Sequence, residues 1–374
     1  MPQSSMIIKT PGKLMVAGEF AVLQPYQQLV VMAVDRFVYA TIKDSATNDL
    51  HLMDFQLQNI GWEYNGDKVE LYSKDKRTTF VQASMTTACN YLNEQHIAIP
   101  PFELTIKSEL DDESGVKYGL GSSAAVSTSV ISAILNKFMP KKPEAKLIYQ
   151  LAAIAHVVTQ GNGSGADVAA SSYGGFLNYS SFQAEWLRQA YEESQTLTEL
   201  IYRDWIYASL EPISLPDSVH VCIGWTGKPA STKKLVEQIL KLKTTNSKQF
   251  TSFIRHSEQA IANVLAGMKQ NNPQLLLQGI KENRHALATV GRDANVAIET
   301  PLLTTLCDIA EQFGGSGKPS GAGGGDCGIA FMPSKQAAEA VLVAWEKAGI
   351  KPLALHPYPH GAMVSDTEHI NEMK

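Results

Sequence analysis

The chain of 374 residues predicts a protein of mixed strands and helices built in two parts. Three observations carry this expectation. Short stretches that alternate apolar and polar residues, such as Phe102-Glu103-Leu104-Thr105-Ile106-Lys107, read as half-buried strands. Longer stretches of helical period lie between them, and no strand–helix–strand unit recurs at a fixed spacing, so no repeat architecture is indicated. The composition shifts between Pro212 and Pro216, which divides the chain into residues 1–215 and residues 216–374. A chain of this length suits two domains or one large one, and a sizeable core.

Composition narrows the function. With 44% hydrophobic and 18% charged residues the chain is globular rather than disordered. A net charge of −5, a pI near 6.0 and the lack of a Lys/Arg cluster argue against a nucleic-acid surface. Cys89, Cys222, Cys307 and Cys327 show no C-x-x-C spacing, the pattern of free buried thiols in a reducing compartment. Met1 to Lys13 lacks an apolar signal core, and no apolar run approaches the ~18 residues of a membrane span. A cytoplasmic protein with no membrane partner is expected.

Taken in order, Met6 to Lys9 reads as a strand entering a turn at Thr10-Pro11-Gly12-Lys13. Leu14 to Ala17 and then Gly18 to Leu23 read as strand, turn and strand. A turn lysine such as Lys13 is ordinarily just solvated. Val38 to Lys43 is a further strand, and the polar segment 44–77 holds short strand candidates at His51-Leu52-Met53 and Val69-Glu70-Leu71. Trp62 and Phe80 are candidates to border a base-binding pocket. Val81, Met85, Ala88 and Leu92 mark a core-facing helix. After the strand 102–107, Glu109, Asp111, Asp112 and Glu113 form a carboxylate cluster, either a metal site or a solvated loop face.

Lys117-Tyr118-Gly119-Leu120-Gly121-Ser122-Ser123-Ala124-Ala125 follows, and Val126, Val130, Ile134 and Phe138 continue it at helical spacing. A glycine-bearing turn that opens a helix exposes free N–H groups at the positive end of the helix dipole, a geometry that binds phosphate. The two serines add hydroxyls that can cap the helix, hold a phosphate oxygen or ligate Mg²⁺. The spacing is neither the P-loop pattern nor the dinucleotide G-x-G-x-x-G. A second helix with Leu147, Leu151, Ile154 and Val158 ends at Gly161-Asn162-Gly163-Ser164-Gly165-Ala166-Asp167, where Asp167 either caps the next helix or faces a ligand. Phe176 to Tyr179 is a strand, and 180–214 is an irregular or helical bridge.

The second part opens with the buried strand Val219 to Trp225, and Ser231 caps a helix through Leu235, Ile239 and Leu242. Helices near 250–268 and 273–287 precede another that starts at Thr300-Pro301. Gly314 to Cys327 is then dense in glycine. A flexible linker has this composition, but Cys327 to Phe331 resumes at once as a buried strand. A glycine-rich loop pinned between packed elements brings backbone close to a ligand. A helix capped at Ser334, a strand from Lys351 to Leu355 and a polar tail complete the chain.

Three stretches together resemble the GHMP kinase superfamily: Pro11-Gly12-Lys13 with Gly18-Glu19, Gly119 to Ala125, and Ser320-Gly321-Ala322-Gly323-Gly324-Gly325-Asp326. The closer resemblance is to bacterial members that phosphorylate phosphomevalonate. It is carried by Lys117-Tyr118, Asn162-Gly163-Ser164, Arg203-Asp204-Trp205, Gly224-Trp225-Thr226 and Gly324 to Gly328. It implies a fold of two α+β parts, an N-terminal ATP-binding part like domain 2 of ribosomal protein S5 and a ferredoxin-like C-terminal part. It further implies an ATP- and Mg²⁺-dependent kinase in which Lys117, Gly119, Leu120, Gly121, Ser122, Ser123 and Ala124 surround the nucleotide phosphates. Ser123 would ligate Mg²⁺, and Lys13 and Asp167 would stand at the reacting centre. Lys13, Lys117, Asn162, Ser164, Asp167, Ser231, Ser320, Gly321 and Ala322 would bind the acceptor.

One departure concerns the metal. Mevalonate kinases supply a second Mg²⁺ ligand from a glutamate in the helix before the Asp167-like turn, whereas Lys146 to Gly161 contains no acid and His156 stands near that place. Mevalonate, with a hydroxyl acceptor, is the alternative substrate, and a metabolite sensor without turnover the alternative class. Two anionic substrates on a chain of net charge −5 require specific cations in the cleft, and Lys117 is the candidate for the acceptor's phosphate.

Overall fold

A computed structural model describes residues 5–111, 115–227 and 232–365. The first sheet grows from two long antiparallel strands, β1 (Met6–Ala17) and β2 (Gln28–Asp44). The turn expected at Pro11-Gly12 is absent, because β1 runs straight through it with only a shift of register between the two residues. A Cβ on Gly12 would lie 2.9 Å from Leu110 Cδ2 and 3.0 Å from the Leu120 carbonyl oxygen. The glycine therefore serves close approach of another loop to a strand, and proline is tolerated where the ladder is interrupted. The strand expected after Gly18 is instead a turn with a short 3-10 helix at Ala21–Leu23. Phe20 has φ 61° there, outside the extended region that regular strands occupy.

β3 (Asp49–Leu52), β4 (Leu57–Tyr64) and β5 (Val69–Leu71) extend the sheet. Trp62 of β4 is buried against Phe102 with ring centroids 4.6 Å apart, so it belongs to the core. Then come α1 (Thr79–Glu94), β6 (Phe102–Ser108), α2 (Ser122–Phe138), α3 (Ala145–Gln160), α4 (Ala166–Tyr173) and β7 (Phe176–Ser180). The bridge after β7 resolves into α5 (Ala184–Glu193), α6 (Leu197–Tyr202) and β8 (Ser209–Ile213). β2 is long enough to hold β1 on one edge and, on the other, β7 along Gln28–Met32 and β6 along Val38–Asp44. α2 lies at the centre of the helical layer, and Ser127, Thr128, Ser129 and Ser132 on it are all buried. Small side chains let neighbouring helices close around it on every side.

The second sheet contains β9 (His220–Trp225), and α7 (Thr232–Thr245), α8 (Ser247–Lys269), α9 (Pro273–Asp293) and α10 (Pro301–Gln312) follow. Asn246, Asn272 and Thr300 cap the last three of these helices through their side-chain oxygens. β10 (Ser316–Pro319), β11 (Cys327–Met332), α11 (Lys335–Lys347) and β12 (Lys351–Leu353) complete an antiparallel sheet in the order β10-β11-β9-β12. Strand, helices, two strands, helix, strand with this order is the ferredoxin-like arrangement that was expected. The tail is not simply polar. Tyr358 donates its N–H to Ala33 O at 2.9 Å, and β13 (Met363–Val364) pairs with β1, so the segment 358–364 returns to the first sheet. All four cysteines are free and buried. No helix among the described residues is long and apolar enough to cross a membrane.

Candidate active site

The loop before α2 is anchored by two side chains that face the core, Tyr118 and Leu120, and is bent by two glycines between and after them. Gly119 has φ +82° and Gly121 φ +80°, the left-handed region that glycine enters without strain. Gly121 is the N-cap of α2, so no side chain caps the helix and no acidic residue occupies its first turn. The first N–H groups of α2 and the positive end of its dipole are thus available to an anion. Ser122 and Ser123 are half-buried in that first turn, and Ala124 is buried behind them. The Arg36 guanidinium lies 4.8 Å from the Tyr118 ring centroid and adds positive charge at the base of the loop.

β1 delivers Lys13 to this loop. Its backbone N–H donates to Leu120 O at 2.9 Å and its Nζ to Gly119 O at 3.0 Å. A Cβ on Gly121 would meet Lys13 Cε at 3.0 Å and Asp167 Cβ at 3.5 Å, so the ammonium-bearing chain and Asp167 flank one glycine. Asp167 stands in the first turn of α4, whose N-cap is Gly165, and its Oδ1 accepts from the Val168 N–H at 3.0 Å. It is therefore not the helix cap. Ser164, just before it, accepts from the Ala166 N–H at 3.3 Å, and its carbonyl takes the Tyr179 hydroxyl at 2.6 Å.

The third loop closes over the first two. A Cβ on Gly119 would lie 2.8 Å from Asp326 Oδ2, and Cys327 Sγ donates to Tyr118 O at 3.2 Å. Burial pushes the Cys327 thiol up to about 12, which leaves it a neutral donor. Ser320 is buried, with its hydroxyl donating to Met15 O at 2.9 Å, and Gly321 N–H donates to Glu19 Oε1 at 3.2 Å. Ala322 is half-buried beside the apolar cluster that holds Phe20. The contact that sequence reasoning missed is the buried ion pair of Lys318 with Glu19. Gly18-Glu19 was legible as part of a motif, but nothing local marks a partner 299 residues away.

Other candidates stand apart. Lys117 is exposed at the entry to the loop, and Asn162 is exposed and accepts from Gln160 Nε2 at 3.1 Å. Ser231, Asp112 and Glu113 lie outside the described residues. Glu109 accepts from the Phe37 N–H, and no group of three metal-ligating side chains occurs among the described residues. His156 is buried with its ring 5.2 Å from that of Phe80.

A helix N-terminus left open for an anion, with a lysine and an aspartate flanking its glycine turn, defines a phosphate-handling site between two sheets. Such a site, on this fold, is that of an ATP-dependent small-molecule kinase. Family models for the GHMP kinase N-terminal and C-terminal domains match residues 81–175 and 264–351. A phosphomevalonate kinase of Streptomyces sp. (strain CL190) is 31% identical over 96% of this chain and 99% of its own. The chain belongs to the GHMP kinase family. A crystal structure of a Listeria innocua protein superposes with a TM-score of 0.91 at 37% identity, covering 97% of this chain and all of that one. The Streptococcus pneumoniae phosphomevalonate kinase in complex with phosphomevalonate and AMPPNP superposes at 0.82 with 25% identity, covering 94% and 99%.

Proposed function

We propose that this kinase transfers the γ-phosphoryl group of ATP to the phosphate of (R)-5-phosphomevalonate, giving 5-diphosphomevalonate and ADP in the mevalonate route to isoprenoids. The observation that carries this reading is the Lys13 ammonium held on the phosphate loop at Gly119, with Asp167 across Gly121, in a chain so similar to a phosphomevalonate kinase. Phosphoryl transfer needs positioning and charge neutralisation more than covalent chemistry. Loop amides from Gly119 to Ala124 hold the nucleotide phosphates. Lys13 bridges the transferring group and the acceptor oxygen. The phosphate of the acceptor has a second pKa of about 6, so at neutral pH it needs no base. Asp167 therefore orients Lys13 and the acceptor rather than removing a proton.

Lys117 faces the acceptor's phosphate, while Asn162, Ser164 and Ser320 to Ala322 border the acceptor. The donors at the loop, the Ser123 hydroxyl and the Asp167 carboxylate, are hard oxygens of the kind Mg²⁺ takes, with ATP and water completing its shell. Bound Mg²⁺ would neutralise charge on the phosphoryl oxygens. The division at residues 215 and 216 is supported by β8 ending at Ile213 in one sheet and β9 starting at His220 in the other. Buried free thiols support a cytoplasmic setting.

The test is ADP release with a panel of acceptors. Turnover with phosphomevalonate and not with mevalonate is expected. Turnover with mevalonate alone, or binding without turnover, would replace the proposal by the hydroxyl kinase or by the sensor.

A further inference from the structure

Among the described residues Glu19 and Lys318 are the one carboxylate and the one ammonium that are fully buried, at 4% and 0% exposure. Taking such a pair out of water costs several kcal/mol per ion, and apolar side chains of similar volume hold a fold as well or better. Stability alone does not account for it. Position does. Glu19 Oε1 accepts from both Lys318 Nζ and the Gly321 N–H, and Lys318 Nζ donates also to Pro319 O at 2.6 Å. The neighbouring Ser320 hydroxyl is bonded to Met15 O, two residues beyond Lys13 on the same strand. Glu19 Oε2 is buried without a partner, so the carboxylate is located by its other oxygen only. The glycine-rich loop from the second sheet thus takes its position from the strand that carries Lys13.

We propose that Glu19 and Lys318 are a positioning pair. They set the Ser320–Gly323 backbone in register with Lys13, so that both face the transferring phosphoryl group. The pair acts through Lys13 and the Ser320–Gly323 backbone, so its removal falls mainly on the rate constant and less on acceptor affinity. This rests on the reading of Lys13 and the three loops as the phosphoryl-transfer site.

The experiment replaces the charges with neutral side chains of similar size in the full chain, Glu19→Gln with Lys318→Met. Unfolding temperature, kcat and both KM values are then measured with ATP and phosphomevalonate. The expected result is an unfolding temperature within about 5 °C of the original. With it, kcat falls about 10–100-fold, the cost of a small misplacement of catalytic groups, and both KM values stay within about threefold. An unchanged kcat, or a loss confined to KM, overturns the proposal. Should the double variant not fold, Glu19→Asp keeps the charge but draws it back by one methylene, about 1.5 Å. It should lose rate at a normal unfolding temperature, and a normal rate in this variant overturns the proposal. Failure of both variants to fold overturns it too, since the pair would then be a stability element. If the unaltered chain releases no ADP with phosphomevalonate, the acceptor assignment fails instead, and the variants are compared with whichever acceptor does turn over.

Discussion

Residues 117–125 and residues 320–326 are both glycine-rich, and the first reaches Lys13 while the second reaches the strand that carries it, yet they are held in different ways. The first is shaped from within. Gly119 and Gly121 turn left-handed, Tyr118 and Leu120 anchor it in the core, and α2 supplies its free N–H groups. The second is shaped from outside. Ser320 is tied to β1, Gly321 to Glu19, and the Gly324 N–H to Ile298 O at 2.7 Å. A loop of the first kind binds by its own dipole and geometry, whereas one of the second kind depends on what it is moored to. Changes at the first loop should therefore strike the chemistry directly, and changes at the second should act through its moorings.

The largest effect belongs to the lysine between them. Lys13→Met removes one charge-assisted contact in the transition state and should lower kcat at least about 100-fold. A variant that retains more than about a tenth of the rate constant would take Lys13 out of the reacting centre.

Gly121→Ala sharpens the comparison next. Its Cβ would press on Lys13 Cε at 3.0 Å in a backbone of positive φ, and kcat should drop about 100-fold. Gly321→Ala carries the same strained φ, +79°, but its Cβ would meet nothing within 4 Å. It should cost about 1–2 kcal/mol of stability and less than about tenfold in rate. Equal losses in kcat from the two would erase the distinction between the loops.

Asp167→Asn should reduce kcat about 10–100-fold while leaving its pH dependence above pH 7 unchanged, since no base is removed. A base-type ionisation that vanished with the substitution would restore Asp167 as the base. Lys117→Leu should lower kcat/KM for phosphomevalonate about tenfold, because this lysine is exposed and its charge partly screened. The KM for ATP should move far less; the reverse pattern would assign Lys117 to the nucleotide.

The smallest effect concerns the third loop's thiol. Burial raises Cys327 to about 12, against about 8.5 in an unfolded chain. A raised folded-state pKa contributes stability that is complete below the unfolded value and is lost as pH rises towards the folded one. This thiol should thus add no pH dependence to stability near neutrality, and the chain should lose stability between about pH 8.5 and 12. Rapid alkylation of Cys327 in the native protein at pH 8 would contradict this burial.

How far these loops were legible in the sequence follows the same division. The α2 loop was readable because its causes are local: two glycines, a helix start and an apolar stripe from Val126 to Phe138. Asp167 was visible as a candidate for the same reason, since it follows a glycine-rich turn into a helix. β10 was not readable. Ser316-Gly317-Lys318-Pro319 has poor strand propensity and becomes a strand only through pairing with β11. The Glu19–Lys318 pair, the pairing of β13 with β1 and the run of β1 through Pro11-Gly12 are likewise long-range facts. No local period encodes them, and a buried lysine is among the rarest outcomes composition would suggest.

What sets this site apart from a hydroxyl kinase is that it joins a phosphoryl group to an existing phosphate. Phosphorus NMR of the product formed from ATP and phosphomevalonate tests it most directly. Paired diphosphate resonances on the acceptor should appear together with ADP, both abolished in Lys13→Met. A chain that leaves the phosphomevalonate resonance unchanged, while converting mevalonate into a single phosphomonoester, would contradict it.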